Sequence, residues 1–396
     1  MKKYKIITVI LLSTVLSTNS QDLSNGNRLD NLIKNVLEKN PTLLAAREQF
    51  QVSLMDAGTG NTPPDPQVEF GYLFGNPQVE GDRIDFSVSQ QFDFPTAYIN
   101  RSRLRKLRSD QAQLRYVSAR QDILLAAYQL WIERIYLNQQ EKLLADRLEK
   151  AEIMLDQFQQ KLSSGEEGKL LFSQSNLQTM ALRNEYDRIV TQISINHLAL
   201  EEISGDKLEQ IDLLVFPLSP SIISDSLLKD YDMSAGQQLH LREFELKQQE
   251  KRLAQSNYMP KLLAGYYSES VLDQKFKGFQ VGITVPLWEN VNTMKHAKSE
   301  VLFAEAESER FSSNQRKELL QKLDKLQSLI SQVNNLEAAL SLVNDEELLT
   351  LALESGEISL TEYMYSSDLY FRNMQSLLLY KRDRLLLEAD LMKIYY

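Results

Sequence analysis

The stretch that decides the fold runs from Thr96 to Ser163: TAYINRSRLRKLRSDQAQLRYVSARQDILLAAYQLWIERIYLNQQEKLLADRLEKAEIMLDQFQQKLS. It contains neither proline nor glycine. At about 1.5 Å of rise per residue, an unbroken helix here would extend about 100 Å, several times the width of a compact domain. A seam recurs along it by threes and fours, through Leu104, Leu107, Gln111, Leu114, Ser118, Gln121, Leu125, Tyr128, Ile132 and Ile135. The series Leu319, Leu323, Leu326, Ile330, Val333, Leu336, Leu340 and Val343 has the same spacing. That period marks a coiled-coil seam. Helices this long bundle side by side or build tubes.

Outward from this helix, the chain repeats itself. Ala46-Arg47-Glu48 returns as Leu241-Arg242-Glu243, Gly71-Tyr72 as Tyr266-Tyr267, and Val88-Ser89 as Ile283-Thr284, all at one offset. Ser164-Gly165-Glu166 returns as Ser355-Gly356-Glu357 at a slightly shorter one. Residues 21–205 form the first repeat and 234–396 the second. Residues 206–233, with Pro217 and Pro220, read as a partly structured linker. Each repeat has one plan: helix, two strands, very long helix, glycine turn, long helix. The strand pairs fall at about 66–94 and 261–287. Val68, Phe70, Tyr72 and Phe74 alternate with smaller or polar residues, as do Ile84, Phe86 and Val88. Leu263, Gly265 and Tyr267 begin a weaker strand, and Phe279, Val281, Ile283 and Val285 alternate with Gln280, Gly282 and Thr284. Period two gives each strand one apolar and one polar face.

The remaining composition narrows the function. A net charge of −10 over 396 residues excludes a chain-wide nucleic-acid surface. Lys2, Lys3 and Lys5, the apolar Ile6–Val15 and a cut after Ser20 read as a secretory signal over residues 1–20. The apolar run is well short of the roughly 20 residues of a membrane span. There is no cysteine, so disulfides, thiolate metal sites and a lipidated cysteine are excluded. His197, His240 and His296 are scattered without metal-ligand spacing, and there is no nucleophile elbow and no phosphate-binding glycine loop. No catalytic residue, cofactor or metal site is expected, and the chain does not read as an enzyme.

No later segment is apolar enough for a membrane helix, so entry into a membrane would require strands closed into a barrel. Four strands cannot close alone, since such barrels start at about eight. Three copies would supply about twelve. Aromatic residues gather around both strand pairs, among them Tyr72, Phe74, Phe92, Phe94, Tyr98, Tyr266, Tyr267, Phe279 and Trp288. They suit an interfacial girdle, or equally the core of a soluble sheet under a helical cover.

The duplicated order resembles the TolC-like outer-membrane factors. It comprises Asn40-Pro41, Pro64-Asp65-Pro66 before a strand pair, a long helix, a glycine turn and a descending helix. Phe172–Leu177 and Tyr363–Leu369 match the descending helices, and Leu200–Gly205 matches the close of the first repeat. The resemblance spans nearly all of the mature chain and rests on order, since no single motif is specific. It implies a mainly α fold with a small β part: an internally duplicated protomer of a homotrimer, with a roughly 12-stranded outer-membrane barrel above a long α-helical periplasmic barrel. It also implies a periplasmic adaptor protein and an inner-membrane pump, of RND type, as partners. No cofactor and no nucleic acid are implied. The chain ends soon after the last helix, so a reduced equatorial belt is expected.

Within that resemblance, Gly165, Glu166, Gly356 and Glu357 are the expected adaptor-facing tips. Glu362 matches a carboxylate that rings the pore entrance. Tyr365 stands where a second acidic residue sits in other members, a departure. Acidic residues gather around the second tip, at Glu354, Glu357, Glu362 and Asp368. For any one of them a solvated helix face is the plainer reading. The function implied is a passive exit duct of a tripartite efflux system. Pro64–Val68 resembles members that serve heavy-metal cation pumps. The duct of a type I protein-secretion system and a soluble periplasmic coiled-coil scaffold are the alternatives.

Overall fold

The computed structural model describes residues 20–75, 81–164, 169–217, 224–271, 274–288, 290–342 and 346–396. Residues 1–19, most of the expected signal segment, lie outside them, as does the first glycine turn with Gly165 and Glu166. The order is α1 (Ser20–Lys39), α2 (Pro41–Gly58), β1 (Gln67–Leu73), β2 (Arg83–Phe92), α3 (Pro95–Ser164), α4 (Lys169–Ser204), α5 (Ser224–Asp232), α6 (Ala235–Ser256), β3 (Lys261–Val271), β4 (Gln274–Thr284), α7 (Thr293–Leu342), α8 (Glu346–Glu354) and α9 (Leu360–Met392). The fold is mainly α with one small sheet. The proline-free stretch forms a single helix of 70 residues, and its counterpart α7 has 50. Pro41 and Pro95 each open a helix, where the missing N–H costs nothing and φ is already set. No described helix is long and apolar enough to cross a membrane.

The chain divides into two compact units that cut across the sequence repeats. One comprises the residues up to Asn40, Ala127–Pro220 and Val333–Leu386. Its core joins Leu137 and Leu144 of α3, Leu182 and Ile189 of α4 and Phe371 of α9. Here α3 is buried on several sides, Trp131, Ile132, Ile135 and Leu137 all being inaccessible. Two polar side chains buried with them bind the extended chain that follows α4. Arg134 donates to the Ile211 carbonyl at 3.1 Å, and Asn138 donates to the carbonyls of Ile211 at 2.7 Å and Leu213 at 3.0 Å. The expected linker is thus an extended segment fastened to α3, followed by the short α5.

The other unit comprises Pro41–Ala126, Ser221–Gln332 and Leu387–Tyr396. Leu227 of α5 is buried with Leu319 and Leu326 of α7 and Leu391 of α9. Two polar seam positions of α3, Gln111 and Gln121, are buried too. Gln111 donates to Glu243, and Gln121 donates to the Ile394 carbonyl at 3.0 Å. All four strands lie in this unit as one antiparallel sheet, in the order β1-β2-β3-β4. The two repeats meet at the β2–β3 pairing.

The register corrects one detail of the sequence reading. Tyr266 pairs with Val88 and Phe279, and Leu262 with Phe92 and Ile283, so Leu262, Ala264 and Tyr266 carry the apolar face of β3. Leu263, Gly265 and Tyr267 lie on the opposite, polar face. The offset that aligns Tyr72 with Tyr267 therefore slips by one residue within the first strand of each repeat, and a slip of one reverses every side chain.

The end of α4 locks onto the α1–α2 junction. Asn40 donates to the Ile203 carbonyl at 2.7 Å, and Lys39 pairs with Asp206. Gly205, at φ +69°, reverses the chain between them. A Cβ there would lie 2.4 Å from the Lys39 carbonyl oxygen, whereas Gly356, at φ +72°, has open space around it. Gly205→Ala is therefore expected to destabilise the fold by roughly 2 kcal/mol or more. Gly356→Ala should cost only the left-handed backbone, about 1 kcal/mol. Thermal unfolding of both variants checks this, with the lower midpoint expected for Gly205→Ala.

Candidate functional site

Two regions carry the residues that the sequence singles out. The first is the turn between α8 and α9. The Gly356 N–H donates to the Leu353 carbonyl at 3.1 Å, and the Glu357 N–H to that of Ala352 at 2.9 Å. This pair of bonds around a left-handed glycine is a Schellman cap, which satisfies carbonyls left open at the helix end. Ser359 then caps α9. Its backbone N–H donates to the Glu362 carboxylate at 2.8 Å, and the Glu362 N–H donates back to its hydroxyl at 3.3 Å. The capping box holds the Glu362 carboxyl below the ordinary glutamate range, through bonds from the Ser359 N–H and hydroxyl. The Ser-x-x-Glu spacing was legible in Ser359-Leu360-Thr361-Glu362.

Glu362, Tyr365, Leu369 and Arg372 form an exposed stripe along α9, Tyr365 being 73% accessible. The opposite face buries Tyr363 and Phe371. Asp368 is drawn out of the acidic cluster: it binds Arg147 at 2.8 Å and Arg372 at 2.7 Å. The Arg147 guanidinium also lies 4.0 Å from the centre of the Phe371 ring. This pairing joins α3 to α9 just inside the turn, across a sequence separation that no spacing rule could reach. The Glu354 side chain lies outside the described residues.

The second region is the sheet. One face carries Val68, Phe70 and Tyr72, then Ile84, Phe86 and Val88, then Leu262, Ala264 and Tyr266, then Phe279, Val281 and Ile283. It is bare: Phe279 is 91% exposed, Val281 81% and Phe70 70%. No described helix covers it. Exposed Trp288 lies just past the β4 end of this surface. The other face holds a polar network. Arg83 contacts Asp85 at 2.9 Å and Glu269 at 3.2 Å, and donates to the Tyr267 hydroxyl at 3.1 Å. Tyr267 donates in turn to Asp85 at 3.1 Å. Sequence reading missed this group because it forms only once β2 and β3 are in register. The outermost strands β1 and β4 each have one unpaired edge in the single chain.

The histidines remain apart: His240 stacks on Phe311, while His197 and His296 lie beside Glu201 and Glu300 on their own helices. Among the described residues no group of His, Asp and Glu has the makings of a metal site.

No protein-family model and no curated protein matches the sequence. Solved structures do match over almost the whole chain. CusC, described in connection with transmembrane channel formation, superposes with a TM-score of 0.78 at 14% identity, over 92% of this chain and 91% of its own. The outer membrane protein VceC of Vibrio cholerae gives 0.76 at 16% identity, over 92% and 95%. The CmeC outer membrane channel of Campylobacter jejuni gives 0.72 at 15%, over 97% and 90%. The chain therefore has the TolC-like outer-membrane-factor fold, as the duplicated order implies.

The capping box generates a test. Stabilisation from a carboxylate with a lowered pKa is present above the unfolded-state value, near 4.5. It is lost as pH falls through the folded-state value. Glu362→Gln keeps an acceptor for the Ser359 N–H, whereas Glu362→Ala removes it. Amide exchange at Ser359–Tyr363 is expected to quicken in Glu362→Ala and stay near wild type in Glu362→Gln. In the wild type the protection of these amides, corrected for the intrinsic pH dependence of exchange, should be lost as pH falls through the lowered folded-state value of Glu362.

Proposed function

We propose that this chain, with its TolC-like fold, is one protomer of a homotrimeric channel in the outer membrane: the passive exit duct of a tripartite efflux system. The observation that carries the reading is the bare apolar face of a sheet with two open edges. Exposed backbone edges are not tolerated in lipid, and closure with two further copies removes them at about twelve strands. The apolar face then meets lipid. The face with Arg83, Asp85, Tyr267 and Glu269 turns to a watery lumen. A soluble scaffold would leave Phe279, Val281 and Ile283 in water with nothing to cover them. In this reading the long helices line a periplasmic tunnel, an adaptor docks at the Gly165 and Gly356 turns, and an inner-membrane pump of RND type supplies the energy. The chain performs no reaction of its own.

Glu362 is assigned to the pore entrance. It sits with Tyr365 on the free stripe of α9, and threefold symmetry would gather its copies into a ring that attracts cations. The capping box gives the same side chain a second, local task. Heavy-metal cations are the substrate class suggested by the Pro64–Val68 resemblance, and a negative entrance suits them.

Two measurements test this. Ile283→Arg should cost about 2–4 kcal/mol if the residue lies near the bilayer midplane, seen as loss of heat-resistant trimer from outer membranes. Unchanged assembly, or release of the wild type by a salt wash without detergent, would contradict membrane insertion. In planar bilayers, Glu362→Gln should weaken block by divalent cations and lower cation selectivity, with trimers intact. Wild-type block and selectivity in that variant would remove Glu362 from the entrance and leave it only its capping role.

A further inference from the structure

The apolar face of the sheet changes character toward its hairpin ends. On β4 the residues that share the side of Ile283, Val281 and Phe279 are, continuing toward the hairpin, Lys277 and Lys275. Lys277 pairs with Ser268 and Lys275 with Ser270, so each lysine stands opposite a serine on the neighbouring strand. Both lysines are exposed and make no ion pair among the described residues. Every carboxylate of the described strands, Glu69, Asp85 and Glu269, lies on the opposite face. In a chain of net charge −10, the charged residues that the described strands carry on this face are therefore Lys275 and Lys277, while Asp82, just ahead of β2, is engaged by the Tyr72 hydroxyl at the β1 edge.

The position is as telling as the sign. All four strands join their helices, α2, α3, α6 and α7, at one end, and the two hairpins lie at the other. If the helices stand in the periplasm, the hairpin end reaches the outer leaflet. From Thr284 to Lys275 is about 30 Å of strand. Tilted by about 40°, that corresponds to a height close to the roughly 25 Å apolar band of an outer-membrane barrel. Lys277 and Lys275 therefore stand at the hairpin-side boundary of that band, at headgroup level. Long lysine stems can lie along the apolar surface and hold their charges in that layer.

We propose that Lys275 and Lys277, with Ser268 and Ser270, form a docking surface for the phosphorylated headgroups of outer-leaflet glycolipid. This rests on the membrane reading above and goes beyond it, since a barrel needs no charge on its lipid face. Three copies would place such a patch beside each β4 edge and fasten the barrel to its surrounding lipid.

The test uses the full chain, reconstituted into phosphatidylcholine vesicles containing either lipid A bisphosphate or the same glycolipid without its phosphates. Flotation measures insertion, and the glycolipid that stays bound on mild re-extraction measures docking. Wild type is expected to retain the phosphorylated form about tenfold better than the dephosphorylated one. Lys275→Gln/Lys277→Gln should abolish that preference while inserting normally. Lys275→Arg/Lys277→Arg should preserve it. So should Lys317→Gln/Lys325→Gln, which removes equal charge from α7. Normal insertion with equal retention by wild type and the glutamine pair would overturn the proposal and leave the channel reading standing. Failure of the wild type to float with either vesicle would overturn both.

Discussion

The open edges of the sheet are the constraint on which the rest depends. A backbone N–H or carbonyl without a partner is tolerable in water and costs several kcal/mol in hydrocarbon. The chain contributes β1 to β4 as one continuous antiparallel ladder, so every inner edge is satisfied and the two outer ones are not. The exposed apolar rows Val68, Phe70 and Tyr72 and Phe279, Val281 and Ile283 share one face, and no described helix covers it. A monomer in water would expose Phe70, Phe279 and Val281; a monomer in lipid would expose β1 and β4. Only association through those edges relieves both.

The helices follow from the same need. A sheet this small cannot anchor a protein of this size, and the stabilising cores lie among the helices. One unit packs Leu137, Leu144, Leu182, Ile189 and Phe371; the other packs Leu227, Leu319, Leu326 and Leu391. Buried polar groups set the alignment of these helices rather than adding much stability. Gln111 and Gln121 interrupt the apolar seam of α3 and find single partners, Glu243 and the Ile394 carbonyl. Arg134 and Asn138 do the same for the chain after α4. A shifted register would leave each of them buried without a partner, at about 1–3 kcal/mol apiece.

Much of this was legible in the sequence. The proline-free run, the three-and-four seam, the period-two strands and the duplication together imply the fold that the structure shows. The misreadings are local and have physical reasons. Tyr266-Tyr267 offers two equivalent rings in succession, and only pairing with Val88 and Phe279 decides which faces outward. Asp368 counts toward an acidic tip by sequence alone, and only the fold sets Arg147, remote in sequence, against it. The Arg83–Asp85–Tyr267–Glu269 network depends on the β2–β3 register in the same way. Glu362 differs: its backbone role is written in the Ser359-x-x-Glu362 motif itself, beside the charge that suits a pore entrance.

The most direct test of the central claim is covalent. The chain has no cysteine, so single pairs can be introduced without background. One cysteine on β1, at Glu69, and one on β4, at Gln280, would be placed in the same protein on the face opposite the apolar rows, and the pair varied along both strands to find the register. If the outer edges close between copies, oxidation of intact outer membranes yields cross-linked dimers and a limiting trimer from at least one staggered set. Cross-linking that stays within single chains in every pair, or runs on to species beyond the trimer, would contradict a closed three-copy barrel.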